Sequence, residues 1–208
     1  MKYSEYFDNR KNTFEKSYEL ILENMDPEHT TPYNIVELGT SRSFVSGKYQ
    51  GCMKTDIMYW RPNDPHYWDW GAGIFTKVFS DNLEGKNYNL YTIDPNYNAI
   101  KIVNTMCGAN KHVKIIHDYS TEFLKNIDFK IDFLYMDHME SSEEACVQHL
   151  ADSKYIIENG LMSENGVILI DDIGDNVTNT KGKYSIPYLI ENGYKPIVAE
   201  YQVLLQKI

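Results

Sequence analysis

Three cysteines in 208 residues, Cys52, Cys107 and Cys146, stand far apart with no CxxC or zinc-like spacing. That scarcity excludes a disulfide framework and a cysteine-based zinc site. Buried free thiols in a reducing compartment are the expectation. Long hydrophobic runs are missing too. No stretch approaches the roughly 20 apolar residues that span a bilayer, and Met1 to Arg10 carries no apolar core of signal-peptide length. The sequence therefore predicts a cytoplasmic protein with no membrane partner. Positive charge is in short supply, with 20 Lys and Arg against 30 Asp and Glu and a net charge of -10. Such a surface disfavours nucleic acid as the main ligand. Repeats and low-complexity linkers are absent. So is the GxGxxG turn that carries a dinucleotide pyrophosphate, which counts against a dehydrogenase.

What the chain does have is a rhythm. Apolar segments at Asn34–Leu38, Asn89–Ile93, His112–Ile116, Ile131–Met136 and Gly166–Ile170 read as strands. Helical patterns fill the intervals at Ile74–Leu83, Tyr97–Cys107, Ser120–Asn126 and Ser141–Asn159. A helix over Ser4–Met25, ended by Asp26-Pro27, precedes them. A helix over Lys183–Glu191 and strand material over Lys195–Gln206 follow. Tyr194 to Ile208 can close as an antiparallel pair, although no good turn dipeptide divides it. Nearly continuous apolar strands alternating with helices predict a parallel sheet covered on both faces, in one domain. Residues 41–70 break the rhythm. They are irregular, rich in Tyr, Trp, Pro and Asp, and too long for an ordinary βα connection. A binding lid and a surface loop packed on its own aromatics are both open readings. In the lid reading, Trp60, His66, Tyr67, Trp68 and Trp70 stack on a substrate ring. His112, His117 and His149 are left as structural.

The five strands run into Gly39, Asp94, Asp118, Asp137 and the pair Asp171-Asp172. In an open parallel sheet these positions share one edge, where ligands bind. Acids gathered there suit a cationic ligand, and the alternative is that each caps the following helix. Asp94 is placed to accept the hydroxyls of a ribose, and Gly71-Ala72-Gly73 can supply the backbone approach that the lone Gly39 does not.

Five segments carry a resemblance: Val36-Glu37-Leu38-Gly39-Thr40, Thr92-Ile93-Asp94-Pro95, His117-Asp118-Tyr119-Ser120, Leu134-Tyr135-Met136-Asp137-His138 and Val167-Ile168-Leu169-Ile170-Asp171-Asp172. Their order and spacing resemble the class I S-adenosylmethionine-dependent methyltransferases. Within these, the metal-dependent O-methyltransferases of the catechol and macrolide-sugar type are nearest. The resemblance covers Asn34 to Ile173. It implies a single Rossmann-like α/β domain with a mostly parallel seven-stranded sheet, helices on both faces and an insertion after strand 1. It also implies S-adenosylmethionine and Mg²⁺ as cofactors. By its motifs, Glu37, Gly39, Thr40, Asp94, Asp118, Tyr119, Asp137 and His138 would serve the cofactor, and Gly71 and Gly73 join them on the reading of their position given above. Asp137, Asp171 and Asp172 would hold the metal. A metal-chelated substrate implies vicinal hydroxyls, as in a sugar or catechol. The usual base position is Glu140 here. It is read either as a base or as an acid opening the next helix, with His66 from the insertion as the other base candidate. An inactive cofactor-binding module and a metal-independent methyltransferase stay as alternatives. A homodimer is left open.

Overall fold

A computed structural model of the chain describes residues 1–26, 28, 30–46, 53–174 and 180–208. Cys52 and Pro27, both used in the sequence reading, lie outside the described residues, as does part of the insertion.

The parallel strands are β1 (Tyr33–Leu38), β2 (Tyr88–Ile93), β3 (Val113–Ile116), β4 (Ile131–Met136) and β5 (Met162–Ile170). The helices are α1 (Lys11–Asn24), α2 (Phe75–Asn82), α3 (Tyr97–Cys107), α4 (Ser120–Asn126), α5 (Glu143–Glu158) and α6 (Ser185–Glu191). The chain closes with β6 (Tyr194–Ala199) and β7 (Val203–Lys207). The sheet order is β3-β2-β1-β4-β5-β7-β6, with β7 antiparallel to both neighbours. The chain moves outward from β1 to β3, then returns to place β4 beside β1. The crevice between the carboxyl ends of β1 and β4 is therefore the topological switch point. Only Glu200, Tyr201 and Gln202 separate β6 from β7, so the final hairpin forms without a favoured turn dipeptide.

Side-chain alternation sorts the strands into two faces. Ile35, Leu90, Phe133, Tyr135, Val167, Leu169 and Leu204 pack with α1, α2 and Trp68. Val36, Leu38, Ile93, Leu134, Met136, Ile168 and Ile170 pack under α4, α5 and α6. Each fully buried large apolar side chain contributes about 1.5–3 kcal/mol, so both faces are strongly held.

One expectation is corrected here. The N-terminal helix does not begin at Ser4. Residues Ser4–Tyr6 and Asp8–Arg10 are separate 3₁₀ turns, and α1 starts at Lys11. Tyr3 and Asp8 have positive φ, at 71° and 47°, which a continuing helix does not allow. This break turns Arg10 toward the sheet edge. The described part of the insertion packs on its own aromatics and on the N-terminal segment. Trp68 is 1% exposed, stacks between Trp60 and Trp70, and donates Nε1–H to Arg61 O at 2.8 Å. Trp70 stacks on Tyr6. Trp68 belongs to the core and has no face left for a substrate.

Candidate active site

Strand register brings the strand-end residues together. Leu38, Met136 and Ile170 are level across β1, β4 and β5. The next residues, Gly39, Asp137 and Asp171, thus sit side by side one step past the sheet. Asp137 N donates to Leu38 O at 2.9 Å and Asp171 N to Met136 O at 3.1 Å. Alternation puts Asp137 and Asp171 on the same face as Tyr135 and Leu169. Asp172 then turns back through a left-handed backbone, φ 54°, which aspartate tolerates better than most residues.

Gly39 makes the β1–β4 approach possible. Its φ is 93°, and a Cβ there would lie 2.9 Å from both the carbonyl carbon of Asp137 and the amide nitrogen of His138. Gly73, φ 75°, sits against Thr40 O in the same way. Ser41 Oγ donates to Gly73 O, tying the insertion to the start of α2.

Around Gly39 opens a cavity of about 450 Å³, lined by Gly39, Thr40, Arg42, Ile93, Asp94, Pro95, Tyr119, Asp137, His138 and Glu140 among others. One wall is acid and the rest largely apolar. Asp94 accepts the Asn96 amide at 2.7 Å, and burial pushes its pKa above the ordinary carboxylate value. Thr40 is held by the Thr92 hydroxyl at 2.7 Å. His138 Nε2 lies 3.0 Å from Asp152 Oδ2. Burial would raise the Asp152 pKa, but His138, Ser120 and Gln148 outweigh it and hold the carboxylate ionised. His149 stacks on His138 at 4.2 Å, and burial pushes its pKa well below the usual histidine value. Among the described residues, none of the strand-end acids is a helix N-cap. Asn96 caps α3 and Ser142 caps α5, while α4 begins at Tyr119 without a side-chain cap.

Beside the cavity lies a buried charge cluster. One ligating oxygen from each of Asp137, Asp171 and Asp172 falls within 4.8 Å of the others. Lys181, 1% exposed, sits between them with Nζ 2.8 Å from Asp137 Oδ1 and 2.9 Å from Asp172 Oδ2. Arg10 reaches in from the opposite end, 3.0 Å from Asp171 Oδ2. Tyr135 OH donates to Asp171 Oδ2 at 2.8 Å and faces Asp137 Oδ2 at 3.3 Å. Tyr201 OH donates to Asp172 Oδ1, and the Asp172 amide to Asp171 Oδ1 at 2.9 Å. Burial and the Asp171 charge push the Asp137 pKa up to about 7, with Lys181 opposing.

This architecture has known counterparts. The Streptococcus mutans protein SMU.1697c, in complex with SAH, matches over 94% of this chain and 97% of its own, with a TM-score of 0.56 at 11% identity. The SAH-bound Podospora anserina methyltransferase PaMTH1 matches over 95% and 88%, with a TM-score of 0.53 at 12% identity. An rRNA methylase from Streptococcus thermophilus matches over 94% and 96%, with a TM-score of 0.55 at 12% identity. The fold is that of the class I methyltransferases. At these identities the likeness is one of fold. In sequence, the chain is 25% identical over 104 residues to the O-methyltransferase hkm8 of Aspergillus hancockii, which is 49% of this chain and 39% of that protein. The match thus spans well under half of that relative's length. No family model matches the chain. Among the described residues, no helix is long and apolar enough to cross a membrane.

Within the methyltransferase fold, the residues named from sequence divide into groups. Gly39, Thr40, Asp94, Tyr119, Asp137, His138 and Glu140 line the cavity. Glu37, Gly71, Gly73 and Asp118 are not among its lining residues. Glu37 is on the buried face of β1, 1% exposed, and accepts the Thr76 hydroxyl of α2. Burial pushes its pKa up to about 8, so it is largely protonated at neutral pH. Asp118 accepts the amide of Tyr119 at 2.8 Å. Gly71 and His66 lie instead in a second cavity of about 430 Å³, with Tyr6, Arg10, Asp69 and Trp70. Glu140 is mostly exposed and ion-paired with Arg42 at the cavity rim. His112, His117 and His149 contact the backbone carbonyls of Tyr88, Pro95 and His138, as structural residues do. The sequence reading missed Lys181, Arg10, Tyr135 and Tyr201. Lys181 stands just after residues 175–179, in no motif, and Arg10 lay inside a helix expected to run from Ser4. Tyr135 alone left a signal, sharing a strand face with Asp137.

Proposed function

We propose that this chain is an S-adenosylmethionine-dependent methyltransferase acting on a hydroxyl of a small molecule. The observation that carries the reading is the cavity at the switch point, floored by Gly39 and walled by Asp94, Tyr119 and His138. Its position is where open α/β sheets bind nucleosides, and the lack of a glycine-rich pyrophosphate turn favours a ligand without phosphate. When bound, S-adenosylmethionine supplies a methyl group already activated by its sulfonium. The chain's own share is binding, alignment and exclusion of water. Asp94, held by the Asn96 amide, is set to accept ribose hydroxyls. Tyr119, exposed on the cavity wall, offers a ring face to a base. Asp137 and His138 also line the cavity and are the groups we assign to an amino-acid moiety. The named activity of the Aspergillus relative supports oxygen as the acceptor atom. The net charge of -10 supports a small acceptor over nucleic acid.

Magnesium is tested by the cluster itself. A Mg²⁺ ion needs near-octahedral oxygen ligands at about 2.0–2.1 Å. The space among Asp137, Asp171 and Asp172 already holds an ammonium, with a guanidinium beside it. The residues as arranged do not fit the ion, and no step is routed through it. The vicinal diol rested on metal chelation and loses its support with it, so the acceptor class is stated as a small hydroxyl compound.

Glu140 keeps a second reading in play. Its pairing with Arg42 at the rim favours a cofactor-binding module without turnover. Calorimetric titration with S-adenosylmethionine, S-adenosylhomocysteine and NAD tests the binding half. Binding of NAD alone would sink both readings. A radiolabelled methyl-transfer assay over a panel of small hydroxyl compounds separates enzyme from module.

A further inference from the structure

We infer that the Lys181 ammonium is a built-in cation standing where a divalent ion would be held, so that the Asp137–Asp171–Asp172 cluster excludes metal while the lysine is present. The inference concerns the cluster and holds whether or not the chain transfers methyl groups.

Three carboxylates that close repel one another strongly unless cations separate them. Here the cations come from the chain. Lys181 Nζ bridges Asp137 and Asp172 at 2.8 and 2.9 Å and also touches Asp137 O at 3.2 Å. Arg10 bridges Asp171 and Asp172, at 3.0 and 3.8 Å. With all three carboxylates ionised, three negative charges against two positive ones leave a formal -1. A divalent ion added to that set would put four positive charges against three negative ones in a space where Lys181 and Asp171 are essentially buried. Most of the oxygens are also spoken for. Five of the six carboxylate oxygens accept from Lys181, Arg10, Tyr135, Tyr201 or the Asp172 amide, and the sixth, Asp137 Oδ2, lies 3.3 Å from the Tyr135 hydroxyl, whose one proton goes to Asp171. The lysine is not a passing surface side chain. It leaves the backbone beside buried Thr180 and Gly182 and is among the largest fully buried side chains of the protein. A buried lysine with no carboxylate to meet would lose its proton. This one meets Asp137 and Asp172 at 2.8 and 2.9 Å.

Removing the ammonium should therefore uncover a metal site. The probe is Mn²⁺ followed by electron paramagnetic resonance, on wild type, Lys181→Ala and Lys181→Ala with Asp172→Asn, all stripped with chelator first. Wild type is expected to show no saturable binding. Lys181→Ala is expected to bind a single Mn²⁺ at least about tenfold more tightly than wild type, and to melt higher with Mn²⁺ than without it. Adding Asp172→Asn should remove that gain. Tight stoichiometric binding of Mn²⁺ to wild type would overturn the inference. So would a folded Lys181→Ala that binds no better than wild type. If Lys181→Ala does not fold with or without Mn²⁺, the wild-type titration decides alone: absence of saturable binding supports the built-in cation and tight binding refutes it. No readout depends on methyl transfer, so failure here and failure of the proposed activity are separable.

Discussion

Two acid-bearing regions lie a few residues apart on the same sheet edge, and they are built on opposite principles. In the cluster of Asp137, Asp171 and Asp172, the chain itself supplies the counter-charges and the donors. In the adjoining cavity, Asp94 takes the amide of Asn96, makes no ion pair among the described residues and lines the open space. Buried polar groups satisfied by protein hold a structure together. Those left facing a cavity wait for something else. Strand-end acids therefore do not form one functional set, although in sequence they look alike. Asp137 belongs to both regions, lining the cavity and bonding Lys181.

Substitutions should separate the two regions, and the largest effect belongs to the cluster. Arg10→Ala leaves Asp171 buried without its guanidinium and should cost about 3–5 kcal/mol in urea unfolding, as breaking a buried pair does. A loss below about 1 kcal/mol would show that the cluster is not a structural ion network. Gly39→Ala forces a Cβ onto the backbone of Asp137 and His138 at a φ of 93°, so about 2–4 kcal/mol and the cavity's ligand binding should go together. Retention of both would mean that the β1–β4 approach has slack.

Glu37 gives a pH-dependent test on the buried side. Its native pKa is near 8, against an ordinary 4.5 in the unfolded chain, so the native state holds the extra proton between those values. Folding stability from this group is complete below about 4.5 and falls as pH rises toward 8. Glu37→Gln, which mimics the protonated acid, should flatten that slope across the window. An unchanged slope would place the titration elsewhere.

The cavity should answer in binding instead. Asp94→Ala should weaken S-adenosylhomocysteine at least about tenfold in calorimetry while moving stability by less than about 0.5 kcal/mol. A large loss of stability there would erase the distinction between the regions. The smallest effect is at the rim. Glu140→Gln breaks an exposed pair with Arg42 and should shift stability by less than about 1 kcal/mol. If the same variant abolishes methyl transfer while leaving cofactor binding intact, Glu140 acts in the chemistry after all.

The sheet was legible because its signal is local. Short apolar runs such as Ile131–Met136 and the helical spacing of Tyr97–Cys107 mark element and boundary with no help from distant residues. The acids at the strand ends were legible for the same reason, since alternation of strand and helix fixes which edge they share. Tertiary structure decided how those acids are used. Lys181 meets Asp137 across 44 residues and Arg10 meets Asp171 across 161, and no periodicity connects positions so far apart. It also decided that Trp68 is core rather than lid, because only packing against Tyr3, Trp60 and Trp70 removes it from water. Sequence by itself determined the scaffold through short-range patterning. Which carboxylates are neutralised internally and which face a cavity depended on long-range contacts, whose energies appear only once the chain has closed on itself.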